Sequence, residues 1–115
     1  MTYTGQCHCG NVKFEVEMTI ETLVACNCSI CKRKGHLLAF APESHFKLLS
    51  GEASLKDYQF GKKSIHHYFC SNCGVGCFGA GTSPDGTKSR AINVRCLDGV
   101  DFTKFPVHNY DGASL

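Results

Sequence analysis

Val12 to Glu17 reads V-K-F-E-V-E: Val12, Phe14 and Val16 are apolar, while Lys13, Glu15 and Glu17 are charged. Successive side chains of a strand point to opposite faces, so a period of two describes a strand with one face buried and one in water. The pattern recurs downstream. Between Ser64 and Phe69, Ile65, His67 and Phe69 alternate with His66 and Tyr68, and later Ile92, Val94 and Cys96 alternate with Asn93 and Arg95. His36 to Ala41, H-L-L-A-F-A, is a short apolar run stopped by Pro42 and reads as a buried strand. Phe46 to Tyr58, F-K-L-L-S-G-E-A-S-L-K-D-Y, reads as a hairpin turning near Ser50-Gly51-Glu52, and T-S-P-D-G-T-K from Thr82 as a turn. Ser29 to Lys34 suits a helical turn, but no segment sustains an apolar period of 3.6. The tail from Asp101 to Leu115 has few periodic cues and is expected to wrap the surface. The predicted fold class is all-β, in one domain over residues 1–115.

At 115 residues such a domain has a thin core, for which covalent or metal staples are the usual remedy. Twelve basic and ten acidic side chains leave a formal charge of +2, so the overall field points to neither nucleic acid nor a membrane surface as partner. No apolar run approaches the ~20 residues of a membrane span. The start, M-T-Y-T-G-Q, has no basic region followed by an apolar one, and the expected location is cytoplasmic. The pattern does not speak to oligomeric state.

The outlier is cysteine, at nine residues. An odd count, spacings of C-x-C and C-x-x-C, and a reducing compartment point to metal sooner than to disulfides. Cys7-x-Cys9 is followed by Gly10, and Cys70-x-x-Cys73 by Gly74. Each is a two-ligand knuckle, because glycine lets the backbone turn while its amides approach the sulfurs. Together they supply four thiolates, a closed structural zinc site tying the N-terminus to a strand some sixty residues later. An iron–sulfur cluster would also use four cysteines, but partition into two knuckles fits zinc better.

Cys26-x-Cys28-x-x-Cys31 remains, in A-C-N-C-S-I-C-K-R-K-G. Spacing leaves two readings open. The second zinc site is closed by Cys96 or a histidine, or it keeps a vacant position, as catalytic zinc does. Three thiolates leave a zinc dication with a formal charge of −1, so bound water ionises less readily than at a three-histidine site. A sulfur-rich site prefers another sulfur as exchangeable ligand, which suits a thiol substrate. Cys96 reads first as a core thiol and second as the fourth ligand, and Cys77 as a small buried residue. His8 is expected to point away from the metal. His66 and His67 fall on opposite faces of one strand, so at most one faces a given site.

In order, C-H-C-G, C-N-C-S-I-C-K-R-K-G, F-C-S-N-C-G and I-N-V-R-C-L-D-G resemble the glutathione-dependent formaldehyde-activating enzyme family, a pattern shared by the related centromere protein V domain. The resemblance runs from Cys7 to Gly99. It implies a β-tent fold of small coiled sheets around two zinc ions per chain. The structural zinc falls on Cys7, Cys9, Cys70 and Cys73, and the second on Cys26, Cys28 and Cys31, the catalytic group. It also implies a carbon–sulfur lyase reaction joining formaldehyde and glutathione as S-(hydroxymethyl)glutathione, or the reverse. Lys32 and Arg33, directly after the second motif, read either as a solvated basic turn or as a clamp for glutathione's carboxylates, since an arginine binds a carboxylate bidentately. Two alternatives share these motifs: a non-catalytic zinc-binding module of the centromere protein V kind, and a glutathione carrier without turnover.

Overall fold

The V-K-F-E-V-E stretch forms the predicted strand. The structure, a computed structural model, describes residues 1–114; Leu115, the end of the predicted tail, lies outside the described residues. Strand β2 (Lys13–Glu17) pairs antiparallel with β1 (Thr2–Gln6) on one side and β5 (Phe46–Ser50) on the other, giving a three-stranded sheet. Phe14 and Val16 are fully buried while Lys13 and Glu17 face water, as the alternation requires. Phe14 lies opposite Gly5, and a Cβ there would stand 2.5 Å from its ring. The glycine makes room for the largest side chain of the core.

A second sheet has seven strands in the order β10-β3-β4-β9-β8-β7-β6. Its members are β3 (Leu23–Cys26), β4 (Leu38–Pro42), β6 (Leu55–Tyr58), β7 (Ile65–Cys70), β8 (Phe78–Thr82), β9 (Lys88–Asn93) and β10 (Val107–Tyr110). Neighbours are antiparallel except β10 and β3, which run parallel. Both sheets face a shared core in which the rings of Phe14, Phe46 and Phe78 meet at 4.6 to 5.9 Å, with Tyr68 at 5.3 Å from Phe78. Burying one such phenyl group contributes on the order of 1.5–3 kcal/mol, and these contacts hold sheet on sheet. The architecture is all-β, as expected. The helical turn expected from Ser29 to Lys34 is a single turn, α1 (Cys31–Lys34), ended by Gly35 at φ +69° with its N–H on the Cys31 carbonyl.

Four local expectations are corrected. Phe46–Ser50 and Leu55–Tyr58 are strands but not a hairpin, because β5 pairs with β2 and β6 with β7. Gly51 adopts φ +90° against the backbone of Asn11 and Val12, where a Cβ would lie 2.2 Å from the Asn11 carbonyl oxygen. That tight passage carries the chain from one sheet to the other. The His36–Ala41 run is only half buried: Phe40 is 56% exposed, and β4 starts two residues late. The Ile92–Cys96 strand stops at Asn93, whose side chain accepts the Arg95 N–H and turns Val94–Cys96 into a 3₁₀ turn. The tail does more than wrap the surface, since β10 extends the large sheet. Strands β1, β3, β8 and β10 were not among the strands expected. The turn expected between Thr82 and Lys88 joins β8 to β9, with Gly86 at φ +89°. Among the described residues no helix is long and apolar enough to cross a membrane.

Candidate functional site

The first thiol group forms where the two sheets meet. Cys7 and Cys9 sit on the turn between β1 and β2, and Gly10 takes φ +83°. Cys70 ends β7 and Cys73 follows in a turn closed by the Gly74 N–H on the Cys70 carbonyl at 2.7 Å. The four sulfurs lie within 4.8 Å of one another, and Cys7 to Cys9 and Cys9 to Cys70 are each 3.6 Å. Zinc–sulfur bonds of about 2.3 Å in a tetrahedron put sulfurs about 3.8 Å apart, so the donor set fits zinc. The Val12 N–H points at Cys7 Sγ from 3.3 Å. Backbone N–H groups of Val75 and Cys9 draw the Cys73 thiol down to about 6, while burial pushes Cys7 up to about 11. A thiolate is therefore already favoured at one corner, and metal binding has to expel the proton of the buried one.

The second group gathers Cys26 at the end of β3, Cys28 in the following loop and Cys31 at the head of α1. Their sulfurs also lie within 4.8 Å of one another, and the Cys28 N–H approaches Cys26 Sγ at 3.4 Å. Burial, with the thiols of Cys28 and Cys26 beside it, pushes Cys31 up to about 12. At Cys28 burial raises the value, but hydrogen bonds from Cys31 and Cys26, with the N–H of Ile30, outweigh it and the net shift is downward. Cys96 does not join this group. It lies beside Cys77, which is fully buried, and receives the Asn93 Nδ2 hydrogen bond at 3.6 Å.

Two residues that spacing could not point to complete the surroundings. His36 Nε2 stands 3.2 Å from Cys31 Sγ, and burial, with Lys34 and His67 nearby, lowers its imidazole to about 4, so it is neutral at pH 7. Gly112 passes directly over the group: a Cβ there would lie 2.6 Å from Cys26 Sγ. Asn27 holds the tail in that place, donating to Asp111 Oδ1 at 3.0 Å and accepting the Ala113 N–H at 2.9 Å.

A cavity of about 230 Å³ opens above these three sulfurs. Its polar members are Lys34, His36, His67, Asn93 and the hydroxyl-bearing Tyr110, and its walls are aliphatic and aromatic, Phe40, Phe60, Ile65 and Phe78 among them. His67 faces the cavity, while His66, on the opposite face of β7, pairs with Asp57 at 2.6 Å. The alternation along β7 thus selects one histidine, as expected. Lys34 reaches inward although the basic turn is exposed: a Cβ on Gly76 would meet its Nζ at 2.7 Å. Burial lowers its pKa, against the opposing pull of the Cys31, Cys77 and Cys96 sulfurs. Lys32 and Arg33 are exposed. Arg33 donates to the Ser29 carbonyl at 2.7 Å and lines a groove with Tyr58 and Phe60 that shares Ile30 and Phe60 with the cavity. His8 is exposed.

Four thiols arranged all round a point make a closed site, whereas three thiols facing a cavity leave one side for an incoming group. The chain matches the family model described as glutathione-dependent formaldehyde-activating enzyme over residues 2–110. It is also similar to a crystal structure of a Rhodobacter sphaeroides protein solved as a structural-genomics target. The TM-score is 0.80 at 32% identity, over 91% of this chain and 99% of that one.

Proposed function

The chain belongs to the glutathione-dependent formaldehyde-activating enzyme family, and from that premise we propose that it is a zinc-dependent carbon–sulfur lyase acting on a glutathione adduct. The reference reaction joins formaldehyde and glutathione as S-(hydroxymethyl)glutathione, or reverses that step. The observation that carries the reading is the group Cys26, Cys28 and Cys31, three sulfurs without a fourth among the described residues, facing a cavity.

Cys26, Cys28 and Cys31 would hold the zinc, which would supply one exchangeable position with a preference for sulfur. The remaining work falls to the chain. Lys34 places a partly desolvated ammonium in the cavity, where it stabilises negative charge developing on an aldehyde oxygen and can give it a proton. His36, held neutral, lines the same space without adding a competing cation. Arg33, in the adjoining groove, is placed for one carboxylate of glutathione, with Lys32 beside it. The four-thiol group takes no part in the reaction and holds the sheets together. A thiol-dependent reaction on reduced cysteines suits the cytoplasm.

Elemental analysis is expected to find two zinc ions per chain. A mild chelator should remove one, and glutathione should protect it. Two ions held equally tightly and indifferent to glutathione would instead favour closed structural sites and a non-catalytic module. Within the lyase reading, Lys34→Met is expected to lower kcat by about 10²-fold with zinc content and thermal stability retained. An unchanged kcat would remove Lys34 from the mechanism.

A further inference from the structure

The cavity is poorly matched to formaldehyde. An apolar cavity of about 150 Å³ holds benzene, so by proportion the roughly 230 Å³ here has room for about nine non-hydrogen atoms; zinc, the attacking sulfur and its methylene would share that space and leave about six for the carbonyl compound, against two in formaldehyde. The room is built into the sheet. Gly79 on β8 pairs with Ala91 on β9, and Ala91 pairs in turn with Phe40 on β4; Ala91 is small where a larger residue would fill the space, and at Gly79 the His66 carbonyl, 2.9 Å from where a Cβ would stand, keeps a side chain out. The apolar lining also continues outward. Phe40 is 56% exposed, Ile65 51%, Tyr110 43% and Phe60 41%, and all four line the cavity. Large side chains left in water around a cavity mark a surface that an apolar ligand covers. Glutathione, with its two carboxylates and an ammonium, does not suit those walls, and the nearest guanidinium lies outside them, on Arg33 in the adjoining groove.

We infer that the carbon group entering this cavity is that of an apolar, branched aliphatic aldehyde of up to about six non-hydrogen atoms. The inference rests on the lyase reading and names its substrate class. The chemistry is unchanged and balanced. The thiol loses its proton to solvent, and its sulfur attacks the carbonyl carbon. The carbon–sulfur bond forms as the carbonyl π pair moves to oxygen. That oxygen takes a proton from Lys34, which recovers one from solvent. The sum is thiol plus aldehyde giving a thiohemiacetal, with nothing oxidised or reduced.

The test uses the zinc-loaded protein and glutathione, with 3-methylbutanal and formaldehyde compared by exchange NMR. The kcat/KM for 3-methylbutanal is expected to exceed that for formaldehyde at least tenfold. Ala91→Phe, which fills the cavity, should reduce that ratio at least tenfold. Phe60→Ala, at a partly exposed wall, should reduce it too and guards against misfolding of the first variant. Turnover of formaldehyde alone would overturn the inference and leave the lyase reading standing. Turnover of neither aldehyde would overturn the lyase reading, and titration calorimetry then decides the cavity's preference. Phenylmethanethiol should bind at least tenfold more tightly than 2-mercaptoethanol. Equal affinities, or a stable dimer of twice 12.5 kDa that covers the rim and abolishes the difference, would overturn the inference.

Discussion

Cys28→Ser is expected to reduce lyase activity by at least about 10³-fold and to release the second zinc, while the protein stays folded. The hydroxyl of serine remains protonated near neutral pH and is a poor match for a soft metal. Two thiols would remain, Cys26 and Cys31, and the latter is the one that burial disfavours as thiolate. The fold should survive for a topological reason. Cys26 to Cys31 closes a loop of about six residues, whose tether is worth about 2 kcal/mol in closure entropy. The segment is also held by other means, since β3 is paired on both sides and Asn27 is bonded to the tail. Metal content, activity and thermal melting on one preparation test this. A melting temperature that falls as far as in the next variant would count against dividing the thiols into an open and a closed group.

Cys73→Ser is expected to lower the melting temperature by about 15 °C or more, or to prevent folding. Cys9 and Cys70 are separated by 61 positions in sequence and their sulfurs by 3.6 Å. A tether closing a loop of about sixty residues is worth about 4 kcal/mol by the same accounting, and about 4 °C per kcal/mol converts that to the stated drop. More is lost with it. Cys7 and Cys70 are buried in the core, and without metal their sulfurs face one another unpaired between the sheets. What would remain is the aromatic core between the sheets, with the Asp98 N–H on the Thr4 carbonyl and the Gly5–Leu97 bridge tying β1 to the segment after β9. A melting curve unchanged from the parent would show that the domain stands without this centre.

The two variants separate what could be read along the chain from what could not. Strand β2 was legible because it buries one face, and a half-buried strand writes its geometry into every second residue; β7 was found by its alternation, yet Ile65 of the expected apolar set is exposed and Tyr68 of the other set packs on the core. Strand β8, F-G-A-G-T, was not, because its glycines have no side chain with which to declare a face. Strand β10 lies in the tail and pairs parallel to β3, a partnership between positions some eighty residues apart with no local signal. The apparent hairpin at Gly51 failed for a related reason. A glycine with positive φ marks a turn, but whether that turn folds back or crosses between sheets depends on what it packs against, here Asn11 and Val12.

The sequence by itself determined the all-β class and the division of the thiols into a group of four and a group of three. Both follow from short-range constraints: strand alternation has a period of two, and a knuckle fixes the spacing of its ligands. Tertiary structure alone decided what surrounds the group of three. It keeps Cys96 away beside Cys77, turns His67 and Lys34 into the cavity, sets His36 against Cys31 and lays Gly112 over Cys26. Those neighbours come from β7, β9, α1 and the tail, which only the pairing of distant strands brings together. A cavity is a property of the gaps between elements, and no element carries it alone.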